Sequence, residues 1–147
     1  MDYEIVKVSD DEGLKECSKL RKEVFGDEEN APEALYIIDD YDRMDDTCNY
    51  LLKVNNEFVA TIRFIKIDNE TIKLQRLVVP KRFRKKGYAN IILKYLEEDA
   101  VKQGYKKIIM DSALSAVGFY EKNNYNSVSD VFYEDNRPHV KMEKNIK

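Results

Sequence analysis

The stretch LQRLVVPKRFRKKGYAN, Leu74 to Asn90, decides how this chain is read. Its first part is apolar and β-branched, and it completes a strand that begins at Thr71. Pro80 stops that strand because it has no N–H to give the ladder. Five cations crowd the next six positions, Lys81 to Lys86, and Gly87 follows. Beyond it, Ala89, Ile92, Leu93, Leu96 and Ala100 recur at helical spacing as far as Gly104, a glycine where a helix would end. Lys107 to Met110 is then a short strand. A strand–helix–strand crossover lays its two strands side by side and parallel. Thr71–Val79 and Lys107–Met110 are therefore expected to be parallel neighbours.

Outward from this unit the chain alternates. Upstream, Tyr50–Val54 and Phe58–Ile67 read as a hairpin around Asn55-Asn56, and Asp68-Asn69 turns into the strand at Thr71. Tyr3 to Val8 reads as a first strand. Ser9 and Glu12 have capping-box spacing for a helix carrying Leu14, Cys17, Leu20, Val24 and Phe25, with Gly26 as its C-cap. Gly13 has no assigned role. Downstream, Ala116–Asn123 is a short helix, and Ser127–Tyr133 and His139–Met142 are strands around a turn at 134–137. The fold class is thus α/β in the α+β sense: a mixed, mostly antiparallel sheet with one parallel pair, flanked by helices.

Composition bounds the rest. At 147 residues the chain has the length of one domain, 1–147, and folding buries roughly 70% of the surface of a chain this size. Charged residues make up 36% and the net charge is −3, which argues against a dedicated nucleic-acid binder. One histidine and two cysteines exclude a Cys/His zinc site, so no metal is expected. The first residues lack the pattern of a signal peptide, no apolar run reaches membrane length, and two cysteines, both expected as free thiols, fit a reducing cytoplasm. Asp27 to Asp46 stands apart. It holds nine acids and one base, a charge of −8 against +5 for the remainder, and it reads as a long loop with one short helix after Pro32. Loops of this length in compact domains are usually functional or disordered.

The turn before the second helix carries the chemistry. A strand that runs into a glycine turn at a helix N-terminus offers unpaired N–H groups and the positive end of the helix dipole, which together favour a phosphate. Gly87 lets the ligand approach the backbone, and the cations before it add Coulomb attraction. Neither the P-loop pattern nor the GxGxxG pattern is present. A solvated basic turn is the plainer reading of the same residues.

Two blocks resemble the GNAT superfamily of acyl-CoA N-acyltransferases, and Arg21-Lys22-Glu23-Val24-Phe25 with Pro138-His139-Val140-Lys141-Met142 resembles a small bacterial branch of it. One block is Arg84-Lys85-Lys86-Gly87-Tyr88-Ala89 behind Leu77-Val78-Val79, similar to the family's R/Q-x-x-G-x-G/A loop. The other is Phe119-Tyr120-Glu121-Lys122-Asn123-Asn124-Tyr125, similar to F-Y-x-x-x-G-F/Y, with Ala116 three positions before it. The resemblance implies a GNAT-like fold across the chain and an acetyltransferase that moves an acetyl group from acetyl-CoA to a primary amine. It implies that the backbone of Leu77 and Val79 pairs with the pantetheine arm and that an N–H near Val78 or Val79 serves the oxyanion. It implies that the Arg84–Ala89 loop, including Lys85, Lys86, Gly87 and Tyr88, holds the pyrophosphate, and that Tyr120 is the general acid. Asn124 replaces the family glycine, and asparagine tolerates a left-handed backbone. Ala113 and Gln75 replace a cofactor-contacting amide and an acidic base. The base is therefore open among Asp111, Glu134 and His139.

Acetyl-CoA is the expected co-substrate and an amine the expected acceptor, a cationic one if the −8 segment borders its site. A homodimer is left open. Acyl-homoserine-lactone synthases share the R-x-x-x-F pattern of Arg21–Phe25, but the absence of tryptophan and the short length count against them. A non-catalytic acyl-CoA-binding module would keep the Gly87 loop without needing Tyr120. A basic nucleic-acid patch at Lys81–Lys86 would show itself by a steep salt dependence.

Overall fold

The computed structural model describes residues 2–147. Eight strands form one sheet in the order β1-β2-β3-β4-β5-β8-β6, with β7 also paired to β8. β1 (Tyr3–Lys7), β2 (Cys48–Val54), β3 (Glu57–Lys66) and β4 (Thr71–Val78) are antiparallel in sequence. The β2–β3 turn uses positive φ at both Asn55 and Asn56, the geometry whose twist matches a two-residue hairpin. α2 (Tyr88–Lys102) then crosses over to β5 (Lys107–Ala113), which pairs with β4 in parallel as expected. α3 (Val117–Lys122), β6 (Asn126–Ser127), β7 (Phe132–Glu134) and β8 (Arg137–Asn145) complete the chain, with β8 antiparallel to β5.

β3 is buried along nearly all its length because it is covered on both faces. On one face α2 brings Ile92, Leu93, Leu96 and Ala100 against Leu52, Ile62, Phe64, Ile72 and Leu74. On the other, α1 (Asp11–Arg21) and the π-helical turn that continues it (Lys22–Glu28) bring Cys17, Leu20 and Val24 against Leu51 and Val78. Ile72 and Leu74 face α2, yet Val78, an even number of residues on, faces α1. Strict alternation would keep all three on one side. The phase flips at a bulge where Arg76 and Leu77 lie opposite the single residue Ile62, and Arg76 takes a left-handed φ of 59°.

Several local expectations are corrected. The N-cap of α1 is Asp10, not Ser9: its Oδ1 accepts from the Gly13 N–H at 2.8 Å. Gly13 has a steric role, since a Cβ there would stand 2.6 Å from Val8 Cγ1. Gly26 is not a C-cap but lies inside the π-helical turn, where a Cβ would crowd the Tyr36 ring at 3.2 Å. The expected strand at 127–133 is broken into β6 and β7, and β8 is longer than 139–142. No helix among the described residues is long and apolar enough to cross a membrane.

Candidate active site

The parallel pair is short. β4 and β5 pair only from Thr71–Lys107 to Lys73–Ile109, although both strands run on to Val78 and Ala113. Beyond that point they part, and the opening is a cleft of about 810 Å³. Its walls are β4 from Lys73 to Leu77, β5 from Met110 to Ala113, the end of the π-helical turn, Tyr120 of α3 and the β7–β8 hairpin. The bulge at Arg76 bends β4 away from β5 at the place where a substrate would need room.

β4 carries this wall into the Pro80–Gly87 turn. Phe83 N–H donates to Pro80 and Arg84 N–H to Lys81, but from Lys85 to Asn90 no backbone N–H finds an acceptor among the described residues. Ile91 N–H makes the first bond of α2, to the Gly87 carbonyl at 3.2 Å. Lys85 and Gly87 have φ of 65° and 81°, and turns with left-handed residues gather N–H groups into anion-binding concavities. Beyond its own chain neighbours, no atom of the described residues lies within 4 Å of where a Cβ on Gly87 would be, so the glycine serves backbone conformation and ligand approach, not packing. The cations differ in their freedom. Arg82 pairs with Glu23 and Glu57, and Arg84 pairs with Glu28 and donates to the Val79 carbonyl at 2.8 Å. Lys85 and Lys86 have no acidic partner among the described residues, and both are exposed.

The predicted residues fall into two groups. Leu77, Ala113, Ala116, Tyr120, Asp111, Glu134 and His139 all line the cleft. Val78 is buried in the α1-side core, and Val79, Tyr88 and Ala89 lead away along the turn and into α2. Tyr120 is buried, with its ring edge-on to Phe119 and Tyr125 at 5.1 and 5.5 Å. Its hydroxyl bonds to no described residue, and burial pushes its pKa well above the ordinary phenol value. Asn124 takes the left-handed backbone expected of it, φ 71°. His139 stacks on Phe132, and its Nδ1 lies 2.8 Å from the Arg137 carbonyl. A carbonyl only accepts, so Nδ1 carries the proton and Nε2 of the neutral ring keeps its lone pair. For Asp111, burial works to raise the pKa, but Lys73 at 2.9 Å and Lys141 at 3.2 Å hold it below the usual carboxylate range. Glu134 is exposed at the end of β7.

The acidic segment is not a free acidic rim. Asp42 is buried and takes both Nη atoms of Arg21 at 3.0 Å, while Arg63 Nη1 reaches it at 2.9 Å. Arg63 also holds Asp39 at 2.7 Å and, through Nε and Nη2, the side-chain Oε1 of Gln75 at 3.1 and 2.7 Å. Glu28 is tied to Arg84 and Glu29 to Arg137. Asp39 and Asp42 cap each other's backbone in a short 3₁₀ turn, Asp40–Arg43. Burial opposes ionisation of Asp42, but the two guanidiniums and the Asp39 N–H outweigh it and hold the carboxyl far below its ordinary value. Sequence reading missed this cluster, and it also missed Arg76, whose left-handed backbone nothing in the residue type announces.

The acetyltransferase (GNAT) domain family matches residues 9–146. The Bacillus subtilis (strain 168) protein YyaT is 34% identical over 143 residues, 97% of this chain and 95% of that one. Escherichia coli ElaA superposes with a TM-score of 0.82 at 25% identity, covering 97% of this chain and 98% of its own. A GNAT family acetyltransferase from Elizabethkingia anophelis, solved with acetyl-CoA bound, has a TM-score of 0.72 at 17% identity, with 98% of each chain covered. Among the described residues no group of three or more His, Cys, Asp and Glu side chains is arranged to hold a metal.

Proposed function

The chain belongs to the GNAT acetyltransferase family, and on that premise we propose that it moves an acetyl group from acetyl-CoA to a primary amine. The observation that carries the proposal is the run of unaccepted N–H groups from Lys85 to Asn90, at the end of the strand that walls the cleft. Those groups and the α2 dipole suit a pyrophosphate, with Lys85 and Lys86 free to add charge. The pantetheine arm would run along β4 past Val79 and Leu77, with the thioester where β4 and β5 part.

In this reading the neutral amine attacks the thioester carbonyl, the C–N bond forms and the C–S bond breaks. Tyr120 gives its proton to the departing thiolate. Its raised pKa keeps that proton in place at neutral pH, and its hydroxyl has no competing acceptor among the described residues. His139 is the best placed of the three candidate bases, because its Nε2 lone pair is left free. Asp111 is neutralised by two lysines, and Glu134 is exposed. A backbone N–H of the β4 end near Val78 or Val79 would face the oxyanion. The whole chain acts as one domain, and its two buried free thiols fit a reducing cytoplasm. The preference for a cationic acceptor loses its support, because the acids of the 27–46 segment nearest the cleft are already paired with arginines.

Calorimetry with acetyl-CoA, followed by a thiol-release assay with a panel of primary amines, tests this. Micromolar binding together with amine-dependent release supports the proposal. Binding without release leaves the acyl-CoA-binding module, and absence of binding overturns both.

A further inference from the structure

Three cations line the cleft: Lys73, Arg76 and Arg137. Lys73 is committed to Asp111 at 2.9 Å, and Arg137 is paired with Glu29. Arg76 is different. Its guanidinium donates no hydrogen bond to any described residue, and the only described carboxylate within 4.0 Å is Asp39, at 3.9 Å. The other oxygen of that carboxylate is held by Arg63 at 2.7 Å and by the Asp42 N–H at 3.1 Å, which fixes Asp39 at this distance from Arg76. The Arg76 side chain is nonetheless only 20% exposed. A guanidinium has five N–H donors in a fixed fork, and those of Arg76 are not sealed from solvent, so they stand open in the cleft to water or to a ligand. Burial and the neighbouring Arg63 and Arg21 charges push its pKa down to about 10, so it stays protonated at neutral pH.

The backbone adds to the case. Arg76 sits at the bulge with a φ of 59°, a conformation that costs an ordinary residue energy. A bulge re-aims the side chain it carries. Here the re-aimed residue lies between two fixed neighbours, with Gln75 clamped by Arg63 and Leu77 in the cleft wall. The fork thus stands on the segment side of the cleft, beside Asp39.

Resting on the acyl-transfer chemistry of the reading above, and leaving open which acyl group is carried, we propose that Arg76 is a receptor for a substrate carboxylate, so that the substrate class is an amine bearing a carboxylate or an acyl group bearing one. The planar fork matches a carboxylate in a bidentate pair. Lysine at this place would supply the charge without that geometry. The carboxylate would bring its own negative charge to the one cation of the cleft that lacks a close partner among the described residues.

The experiment compares matched acceptors with acetyl-CoA as donor: phenylalanine with phenethylamine, and lysine with cadaverine. A second arm compares succinyl-CoA with acetyl-CoA on the same uncharged amine. A carboxylate preference of about 10- to 100-fold in kcat/KM is expected in one arm, the size of a charge-assisted hydrogen-bonded pair. The first arm assigns the carboxylate to the acceptor and the second to the acyl group. Arg76→Gln should bring that ratio close to 1, and Arg76→Lys should retain part of it, which also covers the case where Arg76→Gln does not fold. A ratio near 1 in both arms for the wild type, or a ratio that survives both substitutions, overturns the inference. Binding of N-acetylphenylalanine against N-acetylphenethylamine to the protein saturated with coenzyme A gives the same comparison without turnover, and equal affinities count against it. Failure of acetyl-CoA to bind at all would instead strike the acetyltransfer reading, since Arg76 is not part of the Lys85–Asn90 turn that carries it.

Discussion

The turn from Lys85 to Asn90 and the buried cluster of Arg21, Asp42, Asn49 and Arg63 handle polar groups in opposite ways. The turn leaves its N–H donors unmet at an exposed surface, where water satisfies them until a ligand does. The cluster takes two guanidiniums and a carboxylate almost wholly out of water and meets nearly every donor, with Arg21 Nε the one buried side-chain polar atom left unpartnered among the described residues. Readiness to bind is thus kept where desolvation costs little. Rigidity is placed where burial makes each lost partner expensive. The cluster reaches the cleft through Gln75, which Arg63 holds and which lines the cleft wall.

Removing Asp42 is the most severe way to break this contrast. Asp42→Asn leaves Arg21 and Arg63 buried without a counter-charge, and about 3–5 kcal/mol of stability should be lost. Urea denaturation would measure it, and a loss below about 1 kcal/mol would show that water replaces the carboxylate readily. The same residue predicts acid sensitivity. Its folded pKa lies below the unfolded value of about 3.9, so its contribution is present above that value and disappears as pH falls through the acid range. In Asp42→Asn the denaturation midpoint should depend less on pH in that range than in the wild type.

These two regions were not equally legible in the sequence. The turn is written locally: Pro80 ends a strand, Gly87 precedes a helical run, and no distant residue is needed to see it. The hairpin at Asn55-Asn56 and the parallel placement of β4 and β5 are local or topological in the same sense. Asp42 is one of nine acids in a segment that reads as solvated, and only the long-range meeting with Arg21 and Arg63 distinguishes it. The left-handed backbone at Arg76 was equally hidden, because it is imposed by the β3–β4 register and not by the residue. Ser9 and Asp10 are both good caps, and the choice of Asp10 over its neighbour rests on a one-residue shift that spacing alone does not resolve.

Tyr120 joins the two regimes, being buried like the cluster and unpartnered like the turn. Tyr120→Phe keeps the ring and its edge-on contacts with Phe119 and Tyr125. General acid catalysis contributes roughly 10²–10⁴-fold, and a thiolate leaves tolerably unaided, so kcat should fall about 100-fold. Acetyl-CoA affinity should hold, and the thermal midpoint should stay within about two degrees, since no hydrogen bond is lost. An unchanged kcat under chemistry-limited conditions would return Tyr120 to the core.

Gly87→Val probes the turn itself. A left-handed φ costs a side-chain-bearing residue about 1–2 kcal/mol, more when it is β-branched. The protein leaves the Cβ position open, so steric trouble should arise with the ligand and not within the fold. Acetyl-CoA affinity by calorimetry should drop about tenfold or more, with only a modest change in stability. Gly87→Ala should fall between the two. Full affinity in Gly87→Val would mean that the N–H groups of this turn do not hold the pyrophosphate.

The smallest effects should come from the cations, and they separate charge already used from charge still free. Arg84 is joined to Glu28 and to the Val79 carbonyl, so its positive charge is largely cancelled before a ligand arrives. A surface pair of this kind is worth about 0–1 kcal/mol. Arg84→Ala should therefore weaken acetyl-CoA by no more than a few-fold, and it should do so through the posture of the turn, with little change in salt dependence. Lys86 has no acidic partner among the described residues and acts only through its charge. Lys86→Ala should also cost a few-fold at low salt, but the loss should fade as ionic strength rises and the Debye length contracts to about 8 Å at 0.15 M. Titrating both variants at two salt concentrations distinguishes these cases. If Arg84→Ala proves the more damaging and the more salt-sensitive of the two, Arg84 must leave Glu28 for the phosphates on binding. The turn would then be rebuilt by its ligand, and the contrast with the fixed Arg21–Asp42–Arg63 cluster would be one of motion as well as of solvent.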